Sequence, residues 1–430
     1  MNVEEEIASF VFNLGFDDLE EKVIHEVKRR IIDSVGVAIA SIESPPAEAF
    51  RRTLGLYRGD ARLIGGGSAS ADAASFYNSL LIRYLDFNDT YLSREPLHPS
   101  DMIGALLSVG SLFRSDYKSL FSAIAAGYEV GVRFCDAASP RKHGLDHVNF
   151  LQIGMAAALS KLLNLDEKQT VNVISISTVP HVALRESRVG GLSMWKAGAA
   201  ANASRNATFA ALVTMNGFTA PATPISGKLG MRNVLLPELD VSLLRGITRA
   251  DAILRTYIKK YPVEYHAQAA VDAALKIHSR LEGASISRVE VETYEAGKSI
   301  LADPEKWAPA NRETADHSLP FIVAAALSTG RFWLDTYSLV GDAGVRELMN
   351  KVEVVERRDF TESYPGLLKT RIVAHAANGI HQEEIDVPRG HYRNPMTDAE
   401  VDEKFLKLTG DRKLLEKLHG SENLGVDELV

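Results

Sequence analysis

The hydrophobic pattern divides the chain into two parts of different character. From Glu4 to about Arg255, apolar residues recur at spacings of three and four, which is the repeat of a helix with one buried face. Residues 22–40 show this repeat most clearly. Small side chains let neighbouring helices approach closely, and the helical segments rich in Ala, Gly, Ser and Leu are 102–114, 118–134, 150–164 and 196–216. The first part is therefore predicted to be a compact helical bundle.

Beyond about residue 256 the pattern changes to that of strands. Val289, Val291 and Thr293 alternate with polar residues as in a half-buried strand, and residues 351–356 are similar. Asn378–Gly379 lies between two further alternating runs, which is a strong hairpin signal. Helical segments are predicted between the strands, at 267–281 and 318–329. This part is predicted to be α+β and built on an antiparallel sheet.

The predicted fold class is therefore mainly α. A large all-α helical domain spans residues 1–255, and a smaller α+β domain spans 256–392. The C-terminal segment 393–430 resumes a helix at the capping box Thr397-x-x-Glu400, and we expect it to join the first domain. Gly65–Gly67 is followed by Ser-Ala-Ser instead of the Gly-Lys-Ser/Thr of a phosphate loop, so it is interpreted as a turn.

Composition excludes several classes of function. The net charge of −8 and the pI near 5.9 argue against a nucleic-acid-binding protein, which would carry a basic face. Cys135 is the only cysteine, so neither an internal disulfide nor a Cys-ligated iron–sulfur cluster can form. The N-terminus lacks the features of a signal peptide, and no window is long and apolar enough for a membrane span. We therefore expect a soluble, cytoplasmic protein without nucleic-acid or membrane partners.

The densest polar stretch is LDFNDTYLSREPLHPSD, residues 85–101. Short acids, amides, hydroxyls and an imidazole are the side chains of proton transfer and polar-ligand binding. The structural alternative is that they form turns and helix caps. Four other clusters accompany it, and their polar residues are His143, Asp146, His147 and Asn149; Arg185, Arg188 and Lys196; Lys259, Lys260 and His266; and Asp316 and His317.

The motifs of metal and nucleophilic catalysis are missing. The chain has no HExxH, no CxxC and no GxSxG, and Cys135 lies in an apolar helical run where an inert thiol is the default. No metal site and no cofactor are therefore predicted. Histidine, carboxylate and cation remain, a set suited to abstracting a proton next to a carboxylate while arginine or lysine holds the acid groups.

Five ordered blocks give the chain a family resemblance. LDFNDTYLSREPLHPSD, HGLDHVNFLQIG, SMWKAGAAANASRNATFAALVTMNGFTAP, KYPVEYHAQAAVDAA and TADHSLPFIVAAAL resemble the MmgE/PrpD family of 2-methylcitrate dehydratases. The resemblance implies a large all-α domain closed by the C-terminal segment, a smaller α+β lid domain, a cleft between them for polycarboxylates, and a homodimer. It also implies a place in the methylcitrate cycle of propionate catabolism.

The resemblance also assigns residues. Asp86, Thr90 and His98 match active-site positions of the first block, and His147 and His266 match those of the second and fourth. We expect Asp86, His98 and His147 to be catalytic. The predicted substrate-binding residues are Thr90, Arg185, Arg188, Lys196, Lys260 and His266.

One departure concerns a cation. Several relatives have a basic residue about five positions before the glycine equivalent to Gly198, where this chain has Ser193; here Lys196 is two positions before it. Lys196 either replaces that cation or merely flanks the pocket, and Arg185 and Arg188 are the alternative carboxylate binders.

The resemblance leaves three hypotheses open for the function. The leading hypothesis is a metal-independent hydro-lyase that dehydrates 2-methylcitrate, and citrate, by His/Asp acid–base catalysis. A second is cis-aconitate decarboxylation or diacid epimerisation, since both reactions share the family's chemistry next to a carboxylate. A third is a non-catalytic polycarboxylate-binding protein that kept the fold.

Overall fold

The computed structural model describes residues 1–429 and divides into two compact units. The larger unit comprises Met1–Val189, Met194–Ile258 and the C-terminal segment from Thr397. The smaller unit comprises Lys259–Met396 together with the short segment Gly190–Ser193. The boundaries predicted after residues 255 and 392 lie a few residues before these, and Gly190–Ser193 was assigned to the first domain.

The larger unit is helical, as predicted. Its helices are α1 (Val3–Asn13), α2 (Glu21–Ala40), α3 (Pro45–Arg51), α4 (Ala71–Tyr84), α5 (Ile103–Phe113), α6 (Tyr117–Ala137), α7 (Val148–Leu162), α8 (Glu167–Thr178), α9 (Trp195–Met215), α10 (Met231–Val234), α17 (Asp398–Thr409) and α18 (Arg412–His419). Each helical segment predicted before residue 256 corresponds to one of these helices. The capping box of Thr397 and Glu400 at the start of α17 is confirmed.

Small residues bring the helices of this unit together. At the crossing of α6 and α7, a Cβ atom added to Gly127 would lie 2.8 Å from the Cβ of Ala158, and one added to Gly154 would lie 2.8 Å from the carbonyl oxygen of Gly127. Any side chain at either glycine would force the helices apart. The prediction of close helix packing through small residues is thus confirmed at this crossing.

The larger unit is not purely α. Strands β1 (Ala61–Arg62) and β2 (Ser68–Ala69) form a short antiparallel ribbon around the Gly65–Gly67 turn, so the all-α expectation needs this correction. The three glycines have φ values of 90°, 105° and 90°, a region that residues with a side chain rarely adopt. The turn is the structural one that the sequence predicted, although it closes a ribbon ahead of α4.

The smaller unit holds a four-stranded sheet. Its strands are β3 (Ile286–Thr293), β4 (Val352–Glu356), β5 (Thr370–Ala376) and β6 (Gly379–Ile385), in the order β4-β3-β5-β6. Its helices are α11 (Gln268–Leu281), α12 (Glu295–Leu301), α13 (Arg312–Ala315), α14 (Leu319–Thr329), α15 (Ala343–Met349) and α16 (Arg358–Ser363). Side chains of α11 and α14 share one buried core with β3, β4 and β5.

The prediction of an antiparallel sheet is wrong for one strand pair. β3 pairs with β5, and β5 with β6, in antiparallel fashion, but β4 runs parallel to β3. A parallel neighbour needs a long crossover, and the helices α12 to α15 between β3 and β4 provide it. The hairpin is confirmed, with Ala376 paired to Gly379, so its two-residue loop is Ala377–Asn378 rather than Asn378–Gly379. No helix among the described residues is long and apolar enough to cross a membrane.

Candidate active site

The site of the larger unit begins where α4 ends. Leu85 caps the helix, and Asp86 then takes a left-handed backbone conformation with φ of 50°. This conformation costs a residue with a side chain about 1–2 kcal/mol. Arg83, one turn back on α4, donates from Nη1 to Oδ1 of Asp86 over 2.7 Å, and Nζ of Lys196 lies 3.3 Å from Oδ2. The buried carboxylate of Asp86 therefore lies between two cations.

The residues that follow Asp86 are fixed by hydrogen bonds of their own. The amide nitrogen of Asn88 donates to the hydroxyl of Ser100 and to Oδ1 of Asp101, both over 2.8 Å. The carboxylate of Asp89 accepts from Tyr128, Arg30 and the backbone N–H of Ser100.

Thr90 makes hydrogen bonds to the backbone of two other residues in this structure. Its hydroxyl donates to the carbonyl of Leu97 over 3.0 Å, and its backbone pairs with Tyr257. The predicted substrate-binding role of Thr90 stays a prediction, but this hydroxyl already has a partner within the protein.

His98 has its proton position set by the same loop. Its Nδ1 lies 2.9 Å from the backbone carbonyl of Asp89. A carbonyl only accepts hydrogen bonds, so Nδ1 carries the proton and, in the neutral ring, Nε2 carries the lone pair. His98 directly precedes the 3₁₀ turn Pro99–Met102, which leads into α5.

His147 is held in the same tautomer by a carboxylate. It caps the N-terminus of α7, and its Nδ1 lies 3.0 Å from Oδ1 of Asp146. Asp146 also accepts from the hydroxyl of Ser187 over 2.7 Å and from Nε of Arg188 over 2.9 Å. The rings of His98 and His147 lie edge to face, with centroids 5.7 Å apart.

The charge states of the Asp146–His147 pair follow from their burial and from the neighbouring charges. Burial would raise the pKa of Asp146, but the Arg188 cation, the interaction with the His147 ring and the hydrogen bonds from His147 and Ser187 outweigh it and hold that pKa well below its ordinary value. Burial lowers the pKa of His147 below its ordinary value, and attraction to Asp146 offsets only part of this shift. His147 is therefore a neutral imidazole at pH 7, paired with an ionised carboxylate.

Arg188 links the Asp146–His147 pair to Lys196. While Nε is bonded to Asp146, Nη1 of Arg188 donates to the backbone carbonyl of Lys196 over 2.7 Å. Nη2 of Arg188 and Nε2 of His147 are both buried and have no hydrogen-bond partner among the described residues. Buried donors and acceptors are costly to leave unsatisfied, so this pair of atoms marks a place for a polar ligand.

Arg185 has a different environment. Its guanidinium is half-buried and makes no hydrogen bond or ion pair with the side chains that the structure describes. Burial and the nearby Arg141 both lower the pKa of Arg185, while Glu95 and Asp146 act the other way. An uncommitted, partly desolvated guanidinium is suited to a carboxylate.

A second buried acid adjoins Asp86. Asp101 accepts from Asn88, and its other oxygen lies 3.8 Å from Nε of Arg83. Burial raises the pKa of Asp101 to about 7, although Arg83 and the Asn88 hydrogen bond act in the opposite direction. Near neutral pH this carboxyl is thus divided between its acid and its ionised form.

The smaller unit carries the other two predicted residues. Nδ1 of His266 lies 2.5 Å from the hydroxyl of Tyr294, whose ring stacks on Tyr364 with centroids 4.9 Å apart. Nζ of Lys260 lies 3.5 Å from Asp272 and is partly exposed. Taken by itself, neither unit brings together, among its described residues, three His, Cys, Asp or Glu side chains able to share a metal ion.

Sequence reasoning and structure differ in which residues complete the site. The larger unit brings Asp86, His98, His147, Arg188 and Lys196 together, as expected for one site. Sequence reasoning gave no role to Arg83, Asp101 or Asp146, whose side chains contact residues of this site. It also gave none to Tyr294, which contacts His266 in the smaller unit. Position would have pointed to two of them, since Arg83 is one helical turn before Asp86 and Asp146 directly precedes His147.

Fold and site together define a mainly α-helical protein with a buried histidine–carboxylate–cation centre. Comparison with known proteins gives its family. The MmgE/PrpD N-terminal domain matches residues 5–244, and the MmgE/PrpD C-terminal domain matches residues 261–416. The chain belongs to the MmgE/PrpD family, which confirms the resemblance found in the five blocks.

Several relatives have named activities. A 2-methylcitrate dehydratase of Cupriavidus necator is 27% identical over 352 residues, covering 74% of this chain and 71% of the relative. A 2-methylcitrate dehydratase of Escherichia coli K12 is 26% identical and covers 90% and 86%. The alkylcitrate dehydratase phiI of a fungal species is also 26% identical and covers 93% and 86%.

Proposed function

We propose that the chain is a hydro-lyase that dehydrates 2-methylcitrate to 2-methyl-cis-aconitate and also acts on citrate. The observation that carries this proposal is the pairing of two buried histidines, 5.7 Å apart, whose Nδ1 atoms are each committed to a fixed acceptor. Two imidazoles held in one tautomer present Nε2 for proton transfer. The named activities of the relatives point to the same reaction class.

His147 is the proposed base. Its Nε2 is buried and unsatisfied, the ring is neutral at pH 7, and Asp146 is placed to stabilise the imidazolium that forms. It takes the proton from the carbon next to a substrate carboxylate, and the electron pair of that C–H bond becomes the new double bond.

His98 is the proposed acid. As the C–O bond breaks, protonated His98 gives its Nε2 proton to the departing hydroxyl, which leaves as water. His147 then holds one extra proton and His98 lacks one, and transfer of a proton from His147 to His98, directly or through water, restores the starting state. The adjacent rings suit that transfer.

The cations are proposed to hold the acid groups of the substrate. Among the described side chains, Arg185 has no hydrogen-bond or ion-pair partner and Arg188 has one buried nitrogen without a hydrogen bond, so both can donate to a carboxylate. Lys196 stays close to Asp86, which orients it and is the proposed third catalytic residue. Lys260 and His266 belong to the smaller unit, and their substrate-binding role stays a prediction.

A panel of acids tests the reaction. The purified protein is incubated with 2-methylcitrate, citrate and cis-aconitate, and the products are followed by NMR. Formation of 2-methyl-cis-aconitate supports the proposal, whereas a decarboxylated or epimerised product assigns one of the other family reactions. Binding without turnover of any acid would make the protein a non-catalytic polycarboxylate binder.

The proposed chemistry needs no metal. The measurement is dehydratase activity after exhaustive chelation, with and without added Fe²⁺. Full activity in the chelated protein supports acid–base catalysis by side chains alone. Loss on chelation with recovery on adding iron would refute it.

We also propose that the protein works as a homodimer. Apolar side chains along the approach to α9 are strongly exposed in the single chain, among them Leu184 at 65%, Val189 at 56% and Trp195 at 52%. Exposed apolar side chains grouped in one segment are typical of a protein–protein surface. Light scattering on the purified protein gives the mass; a monomer at micromolar concentration would refute this proposal.

A further inference from the structure

One buried lysine of the C-terminal segment contacts the loop of Asp86. Helix α17 packs on α2 within the larger unit, and Lys404 on α17 is only 4% exposed. Its Nζ donates to the backbone carbonyl of Phe87 over 2.8 Å and lies 3.8 Å from the centroid of the Phe87 ring. A lysine is rarely fully buried without a partner, so its surroundings need an explanation.

The partner of Lys404 is a second buried charge. Oδ1 of Asp33 on α2 lies 2.6 Å from Nζ, and both side chains are almost completely buried. Burial raises the pKa of Asp33, while Lys404 and Arg30 act in the opposite direction. A pair of this kind contributes little net stability compared with apolar side chains, so stability alone does not account for it.

The contact with Phe87 falls directly after the strained residue. Asp86 has φ of 50°, and the chain reverses there so that its carboxylate lies against Arg83 and Lys196. Without an outside constraint, Asp86 would relax towards an ordinary conformation and its carboxylate would move. Lys404 holds the next residue by both its carbonyl and its ring, which fixes the direction in which the chain leaves Asp86.

We propose that Lys404 is a positioning residue for the active site. Held by Asp33, it fixes Phe87 and thereby keeps the Asp86 carboxylate in place, so the C-terminal segment is part of the catalytic apparatus although it provides no catalytic group. The kinetic part of this inference rests on the proposed function, because it takes Asp86 to be needed for turnover.

The test removes the ammonium group without leaving a buried charge. Lys404→Met alone would strand the carboxylate of Asp33 in the interior and could prevent folding. The double variant Asp33→Asn/Lys404→Met is neutral at both positions and keeps the apolar stem of the lysine. Lys413→Met, at an exposed position of α18, is the matched control.

The kinetic readout separates positioning from general destabilisation. We expect the double variant to melt within a few degrees of the wild type and to lose tenfold or more in kcat, with KM changed less than threefold. Lys413→Met should equal the wild type in both constants. A folded double variant with kcat within twofold of the wild type would overturn the inference.

A structural readout keeps the test independent of the reaction. If the wild-type protein turned over none of the acids, the proposed function would fail, and the inference would be decided by a crystal structure of the double variant. We expect loss of the left-handed conformation of Asp86 and of its 3.3 Å contact with Lys196. Retention of both would show that Lys404 does not position Asp86.

Discussion

Replacing Asp146 by Asn tests the assignment of His147 most directly. The carboxylate of Asp146 accepts from Nδ1 of His147, Nε of Arg188 and the hydroxyl of Ser187. Asparagine keeps the size of the side chain but removes the negative charge, and its amide can donate to Nδ1. Donation would move the ring proton to Nε2, which is the atom proposed to accept the substrate proton.

The distance between His147 and Asp146 sets the size of the expected loss in kcat. Unit charges 3.0 Å apart attract by about 5.5 kcal/mol at an effective dielectric constant of about 20. Part of this is offset because the carboxylate must be desolvated and because the amide still makes hydrogen bonds. If about half is lost from the transition state, in which His147 is an imidazolium, the barrier rises by about 2.7 kcal/mol and kcat falls about 10²-fold.

The pH profile gives the same variant a second readout. Attraction to Asp146 raises the pKa of His147 against the effect of burial, so Asp146→Asn should lower that pKa further. A base must be deprotonated to act, so kcat/KM rises with pH through its pKa. The acidic limb should therefore move to lower pH while its plateau falls, because a less basic imidazole is a weaker catalyst.

The assay is the pH dependence of kcat/KM for the wild type, Asp146→Asn and a control. Ser187→Ala is the matched control, since it removes one hydrogen bond to the same carboxylate but no charge. It should change kcat less than about fivefold. An unchanged plateau and limb in Asp146→Asn would show that His147 is not the base.

Three further experiments examine the rest of the site. His98→Ala and His147→Ala should each lower kcat about 10²-fold or more with folding intact by circular dichroism, and near-wild-type kcat would remove that residue from the mechanism. Arg185→Lys should raise KM about tenfold at constant kcat, because its guanidinium has no side-chain partner within residues 1–429. Arg188→Lys should mainly lower kcat by releasing Asp146 and Lys196; equal effects on both constants in both variants would contradict this division. Asp101 has a folded-state pKa of about 7, above its unfolded value, so between about pH 4 and pH 7 the folded state binds more protons at this carboxyl and its contribution to stability falls as pH rises. The free energy of unfolding of Asp101→Asn, measured in urea across this pH range, should lack that contribution, and curves parallel to those of the wild type would refute it.

Periodicity predicted most of the fold because helices with one apolar face repeat visibly. Residues 22–40 correspond to α2, and 318–329 to α14. The parallel position of β4 could not be predicted from its alternation, because alternation marks a half-buried strand in either direction. What decides the direction is the packing of the crossover helices, which is a property of the tertiary structure.

The side chains proposed to touch substrate and those that support them differ in how visible they are in the sequence. His98 and His147 stand in dense polar segments, and such density is itself a signal. Arg30 and Asp33 lie within the apolar periodicity of α2, where each looks like an exposed residue of the polar face. Both are buried in ion pairs with Asp89 and Lys404, which come from segments distant in the chain. Contacts across such distances leave no trace in local spacing.

The conformation of Asp86 links the strain in the loop to the chemistry of the site. Glycine would adopt φ of 50° without penalty, whereas an aspartate here carries a cost of up to about 1–2 kcal/mol, as Arg114, Asn164 and Glu282 do at other helix ends. Its neighbours Asn88, Asp89 and Thr90 are each held by at least two hydrogen bonds, which is more than a surface turn needs. A residue held this firmly beside two cations is what the proposed active site requires, since the groups that stabilise the transition state must be in place before it forms.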